Sequence, residues 1–306
     1  MRRSVGFRKW LLLCLITGLM LAIATVTVSA LPLQGSRWLT VDRLSGSVYI
    51  TPYRGRSRQA RRGDRLANVG DSLATGSNAS AQLEVDLQTG FVMLAENTQV
   101  QVQALSITRS GGRITELTVN RGQVRLRVRT LTVPDSRLEI HTPSGVSGVR
   151  GTDFGVSVQL DGQTGVATLE GSVATSAQGK TVAVVADTQS VIYPGEPPIP
   201  PEPLRDDPTL FVERLSFLPG SSATSRTDTP MVRLVGYTDK VNLLKINSDL
   251  KQLSRTGRFD LVVPLFEDSA VNRSEDRSGS RSGNRYLQAT VTTPLGTEQQ
   301  YELVVP

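Results

Sequence analysis

The sequence predicts an all-β protein: a β-roll or sandwich domain followed by a smaller β-sandwich. Three observations predict it. Apolar and polar residues alternate in many short runs. Gly and Asn/Asp punctuate the junctions between runs. No window of a dozen residues carries an amphipathic helical pattern. Composition points the same way, with abundant Val, Thr and Gly, 38% hydrophobic residues and only 5% aromatic. A chain of 306 residues is long enough for two domains, each able to bury a core without disulfides.

Residues 1–30 read as an export signal. Arg2, Arg3, Arg8 and Lys9 precede an apolar run from Trp10 to Ala24, and Val28-Ser29-Ala30 forms a small-residue cleavage site. The alternative is an uncleaved anchor, since Trp10 to Val28 is about 19 residues, enough to span a bilayer. Only in that case is the membrane a partner. Either way the rest of the chain is expected in the periplasm or outside the cell. The only cysteine, Cys14, follows three leucines and is no lipoprotein site. After cleavage no thiol chemistry, disulfide or cysteine zinc site remains.

From Leu39 to Tyr193 the alternating runs are Val41 to Thr51, Ala81 to Leu87, Gly90 to Leu94, Thr98 to Ile107, Glu116 to Val119, Gln123 to Thr132, Arg137 to His141, Gly155 to Leu160, Val166 to Leu169 and Thr181 to Ile192. Each reads as a half-buried strand. Turn signals such as Gly111-Gly112, Asn120-Arg121-Gly122 and Asp161-Gly162 separate them. Strand order stays open between a solenoid-like roll and a two-sheet sandwich. Residues 39–193 are therefore taken as one domain and 194–204 as a linker. Six prolines between Pro194 and Pro203 favour an extended polyproline spacer that does not pair as a strand. Residues 205–306 hold about seven short strands, which suggests an immunoglobulin-like sandwich. Within them Asp268 to Asn284 is almost devoid of apolar residues and reads as a loop.

Several motifs resemble the FecR-type domain. They are Gly70-Asp71-Ser72-Leu73-Ala74-Thr75-Gly76-Ser77 with Ala81-Gln82-Leu83, Arg121-Gly122-Gln123-Val124, Thr142-Pro143 with Arg150-Gly151-Thr152-Asp153-Phe154, and Val166 to Val173. The resemblance runs from about Gly46 to Tyr193. It implies an extracytoplasmic recognition or sensing domain. The best-known members control a sigma factor through a cytoplasmic N-terminal segment. Here only about nine residues precede the apolar run, so transmembrane signalling is not expected. Val235-Gly236-Tyr237-Thr238-Asp239, with Gly257-Arg258-Phe259, resembles modules attached to carbohydrate-active enzymes. Physically, Arg150, Gly151, Thr152 and Phe154 read as a fold element, with Gly151 at a bend, Phe154 as a core anchor and Arg150 paired to Asp153 or to a neighbouring carboxylate.

The charge balance argues against a nucleic-acid partner, and none is expected. Without the four basic residues of the leader, 30 basic face 28 acidic residues, a balance of +2. Two basic features remain as a candidate binding surface. Arg54, Arg56, Arg58, Arg61, Arg62 and Arg65 crowd one loop, and Arg125, Arg127 and Arg129 share one face of a strand. If adjacent they form a cationic patch for an anionic glycan or an acidic envelope protein; otherwise they solvate an edge. Ala174 to Thr181 imitates a phosphate loop, but a strand follows it, so Gly179-Lys180 reads as a hairpin turn. His141 is the only histidine and has no nucleophile elbow beside it. No Asp-x-Asp-x-Asp loop or clustered ligand set is visible. The chain is therefore expected to be non-enzymatic and free of cofactors and metal: an envelope recognition or sensing protein, or alternatively a carbohydrate-binding accessory. Aromatics suited to sugar stacking are few, namely Trp38, Tyr49, Tyr53 and Tyr237. N-terminal sequencing of the exported protein should begin at Leu31; a start at Met1 overturns cleavage.

Overall fold

Among the described residues of the computed structural model, every element is a β-strand. The structure describes residues 37–86, 89–218, 230–265 and 286–305. The leader with Cys14 and the segment Asp268 to Asn284 lie outside the described residues.

Residues 39–203 build two nine-stranded sheets. In the first the order is Arg65–Leu66, Leu39–Ser45, Ser80–Val85, Gly90–Leu94, Gly122–Val128, Thr152–Val158, Thr164–Glu170, Thr188–Ile192 and Glu202–Pro203. In the second it is Arg58–Gln59, Val48–Thr51, Ser72–Thr75, Gln99–Ile107, Arg113–Val119, Arg137–His141, Val146–Val149, Ser172–Ala177 and Lys180–Val185. Apart from the short edge strands Arg58–Gln59 and Arg65–Leu66, both orders climb with the sequence. The chain lays strands in one sheet, crosses to the other and returns, so hairpins stack like rungs along one axis. The fold is thus a two-sheet sandwich wound as a roll. One core joins the sheets: Leu39, Leu83, Leu126 and Phe154 from the first meet Leu73, Leu117 and Ile140 from the second, all fully buried.

Two runs that read as single strands are each broken into two. Gly46, at φ +71°, turns the chain between Ser45 and Val48, and Asp187, at φ +57°, does so between Val185 and Thr188. The hairpin turn expected at Gly179-Lys180 lies one residue earlier, at Gln178-Gly179, where φ is positive at both residues and Lys180 already begins a strand. This suits a two-residue hairpin, and Ser172–Ala177 pairs with Lys180–Val185 across it.

Residues 211–304 add a three-stranded sheet (Phe211–Phe217, Met231–Tyr237, Arg258–Pro264) and a four-stranded sheet (Asp249–Lys251, Leu243–Ile246, Tyr286–Thr292, Glu298–Val304). Val232 and Leu234 of one face Leu244, Ile246, Leu287 and Val291 of the other in a second core.

The proline-rich segment does pair, contrary to the expectation for a free spacer. Glu202–Pro203 forms a short ladder with Thr188–Gln189, at a sheet edge where the missing proline N–H costs nothing. Ile199 donates its N–H to Val191 at 3.0 Å and packs among Val191, Tyr193 and Val241.

Residues 36–306 form one unit, and the reason is local. Thr152–Val158 and Thr164–Glu170 are buried on both faces rather than one. Their outward positions are small: Gly155, Ser157, Gly165 and Ala167. The C-terminal sheets lie directly on them. A Cβ added at Gly155 would sit 1.8 Å from the carbonyl oxygen of Pro294, and one at Gly165 would sit 2.9 Å from Val241 Cβ. No side chain fits at Gly155. Gly155→Ala should therefore cost about 1–3 kcal/mol and split thermal unfolding into two transitions in calorimetry. Gly148→Ala is the control, because its methyl would meet only Glu139 Cγ at 3.6 Å. A single unshifted transition in Gly155→Ala contradicts this account.

Candidate functional site

The two arginine groups do not join. Arg65 and Arg125 lie on strands four positions apart in the first sheet, roughly 19 Å at strand spacing. Most of these arginines are also engaged. Arg58 forms a two-point bond with Asp64 at 2.7 and 2.8 Å, and this hydrogen bond holds the Asp64 carboxyl below its ordinary range against the opposing effect of burial. Arg62 lies 3.5 Å from Asp42. Arg65 covers the Trp38 ring at 4.2 Å and Arg54 the Tyr53 ring at 5.4 Å. Asp153 takes Arg125 at 2.8 and 3.0 Å and Arg127 at 3.0 Å. Arg56, Arg61 and Arg129 are exposed.

Because Asp153 is occupied, Arg150 does not pair with it; Arg150 is exposed and in no ion pair among the described residues. The rest of that motif is structural. Gly151 adopts φ +147° where a Cβ would lie 2.6 Å from Thr130 Cα. Thr152 Oγ1 donates to Ser172 O at 3.2 Å, and Phe154 is fully buried. Asp71, also buried, accepts N–H groups from Tyr53, Ala67 and Asn68 at 2.8–2.9 Å. It thereby clamps the two ends of the arginine-rich segment, which is not loop throughout, as expected, but carries the short edge strands Arg58–Gln59 and Arg65–Leu66.

The seam between the two bodies is polar and closely satisfied. Gln123 Nε2 donates to Pro294 O at 2.6 Å, and Arg125 to Leu295 O at 3.1 Å. Gln159 and Gln163 both donate to Lys240 O, at 3.1 and 2.9 Å. Gln159 Oε1 accepts from Gln252 and from Leu253 N–H, at 2.9 and 3.1 Å. Lys245 pairs with Glu96 across the seam. Gln123, Gln159 and Gln163 are buried, and their bonds keep that burial from being costly.

Beside this seam opens a cleft of about 320 Å³, at the small end of ligand-site volumes. Its walls hold opposite charges in pairs: Lys240 donates to Glu202 at 3.0 Å, and Arg205 lies 3.6 Å from Asp239. Burial pushes the Glu202 carboxyl up, but hydrogen bonds from Gln189 and Lys240 outweigh it, so the net shift is below the ordinary 4.5. On the rim Phe211 and Tyr237 stack with ring centres 4.7 Å apart at 13°. They stay 48% and 39% exposed and together make a contiguous apolar surface at the rim of the cleft. Of the four aromatics singled out for sugar stacking, only Tyr237 lines this cleft. Its partner Phe211 gave no separate signal in the sequence. The seam itself was foreshadowed by the small outward residues at 155, 157, 165 and 167.

A second cluster lies on the outer face of the second sheet. Glu116, Glu139 and His141 place three donor atoms within 4.8 Å of one another. This corrects the expectation that no ligand set is assembled. The cluster is invisible in sequence because Arg137–His141 pairs in parallel with Arg113–Val119, setting Glu139 beside Glu116.

Comparison with known proteins assigns residues 71–174 to the family model described as FecR protein, about a third of the chain. The chain therefore carries a FecR domain over those residues. Two crystal structures of a "putative anti-sigma factor" from Parabacteroides distasonis ATCC 8503 are similar at 16% and 17% identity, each with a TM-score of 0.36. Each match covers 44% of this chain, which spans 59% of the length of those proteins. No curated protein matches the chain.

The Glu202 shift sets an acid dependence. A carboxyl with a depressed folded pKa contributes stability that is complete above its unfolded value near 4.5 and lost as pH falls through the folded value. The melting midpoint should therefore drop below about pH 4.5, and the Glu202→Gln variant should show a smaller drop over that range. An equal acid response in both proteins removes Glu202 from this role.

Proposed function

We propose that this chain is an exported, non-enzymatic cell-envelope protein that recognises a neutral or weakly charged envelope glycan. The FecR domain and an immunoglobulin-like C-terminal module serve as one recognition body. The observation that carries the reading is the seam cleft with its exposed, stacked Phe211 and Tyr237. Stacked rings offer an apolar face to the C–H surface of a pyranose. The Lys240–Glu202 and Arg205–Asp239 pairs offer donors and acceptors already held in place. The cleft's charges balance, which favours a ligand without a strong net charge. The three- and four-stranded sheets around one core support the immunoglobulin-like reading.

An acidic protein or anionic glycan bound by the arginine loop is the competing reading. The engagement of Arg58, Arg62, Arg125 and Arg127 by carboxylates weakens it. Retention on immobilised envelope polysaccharide distinguishes the two. A Phe211→Ala/Tyr237→Ala double variant should lose about tenfold or more in affinity, about 1.4 kcal/mol or more. Arg56→Ser/Arg58→Ser/Arg61→Ser/Arg62→Ser should bind as the parent does at moderate salt. The reverse pattern transfers recognition to the cationic loop, and affinity capture from envelope extract then identifies the partner.

A further inference from the structure

We propose that Glu116, Glu139 and His141 form a binding site for a divalent transition-metal ion, zinc above all, on the face of the second sheet. The inference is independent of the cleft. Three strand positions make the site: Glu116 on Arg113–Val119, and Glu139 and His141 two residues apart on Arg137–His141. Strand side chains two apart share a face, and the parallel register puts Glu116 beside Glu139. All three side chains are partly buried and stand on ladder-bonded backbone, so the donors are held by rigid elements.

Arg137 organises the pair of carboxylates. Its Nε donates to Glu139 Oε1 at 2.7 Å and its Nη2 to Glu116 Oε1 at 3.1 Å. Each carboxylate keeps its Oε2 turned towards His141. His141 Nε2 lies 3.3 Å from Glu139 Oε2 and 3.8 Å from Glu116 Oε2. A charge-assisted bond between imidazolium and carboxylate closes to about 2.7–2.9 Å. Here Nε2 is shut off from solvent and has no hydrogen-bond partner, which is costly for a polar atom. Donors around a tetrahedral zinc, with bonds near 2.0–2.2 Å, lie about 3.3 Å apart. The 3.3 Å separation equals such an edge, and the 3.8 Å separation exceeds it by about half an ångström, a gap that small side-chain rotations close.

Charge and ligand chemistry agree. Two carboxylates, one arginine and a neutral imidazole leave a net charge of −1, which a dication over-neutralises only slightly. Imidazole with carboxylates suits zinc and its neighbours rather than calcium or magnesium. The Arg137 bonds are the kind of outer contact that fixes ligand orientation. Gly148 pairs with Glu139 on the adjacent strand and sets no side chain against it. Three protein ligands leave a fourth position for water or for a donor from another molecule.

The experiment uses the tag-free chain, stripped with chelator and desalted. Zinc is titrated by calorimetry and cobalt by its visible absorption. One equivalent should bind. His141→Ala and Glu139→Gln should each weaken zinc binding tenfold or more and abolish the tetrahedral cobalt band, with circular dichroism unchanged. Because His141 is the only histidine, its single set of imidazole NMR signals should shift on adding one equivalent of zinc. Zinc binding that is no weaker in His141→Ala, or imidazole signals that zinc leaves in place, overturns the site.

Discussion

The structure depends on one close approach. The backbone of Gly155 lies against the carbonyl of Pro294, with no room for even a methyl between them. Around that contact Ser157 Oγ donates to Val241 O, and Gly165 admits the Val241 side chain. Strands that would otherwise expose one face are buried on both. Proximity of two backbones then brings carbonyls within reach of Gln123, Gln159 and Gln163. A polar seam follows from a steric one, because buried carbonyls need donors and amide side chains supply them.

This seam reorders what the remaining residues can do. Tyr193 and the prolines after it do not simply space two domains. Tyr193 donates its hydroxyl to Arg255 O at 2.9 Å, and Glu202 meets Lys240. The cleft exists because the proline segment and the C-terminal sheets meet there, so it is a property of neither body alone. The exposed Phe211–Tyr237 stack sits at the same place, which is why recognition is proposed at the seam.

The arginines illustrate a different constraint. Alternating Arg125, Arg127 and Arg129 look like a cationic stripe, yet Asp153 on the neighbouring strand answers two of them. Cross-strand pairing of opposite charges is the ordinary way a sheet face settles its electrostatics. Glu116, Glu139, Arg137 and His141 show the same economy with a different result. One arginine orders two carboxylates and leaves the imidazole nitrogen beside them without a hydrogen bond.

Much of the fold was legible in the residues. Period-two alternation located strands such as Gly90–Leu94 and Arg137–His141 to the residue, since side-chain direction alternates strictly along a strand. It also told the buried face of Gly122–Val128, with Val124, Leu126 and Val128 inward. The resemblance to the FecR domain lay in local motifs, and Gly151, Thr152 and Phe154 proved to be packing residues of that domain. The tertiary structure alone decided which strands are neighbours, whether the rungs form a roll, and what covers the outward glycines. Alternation records only inside and outside, whereas Gln123 meets Pro294 across 171 positions of chain. The same holds for Glu116 and His141, whose meeting depends on a parallel register that no local pattern encodes.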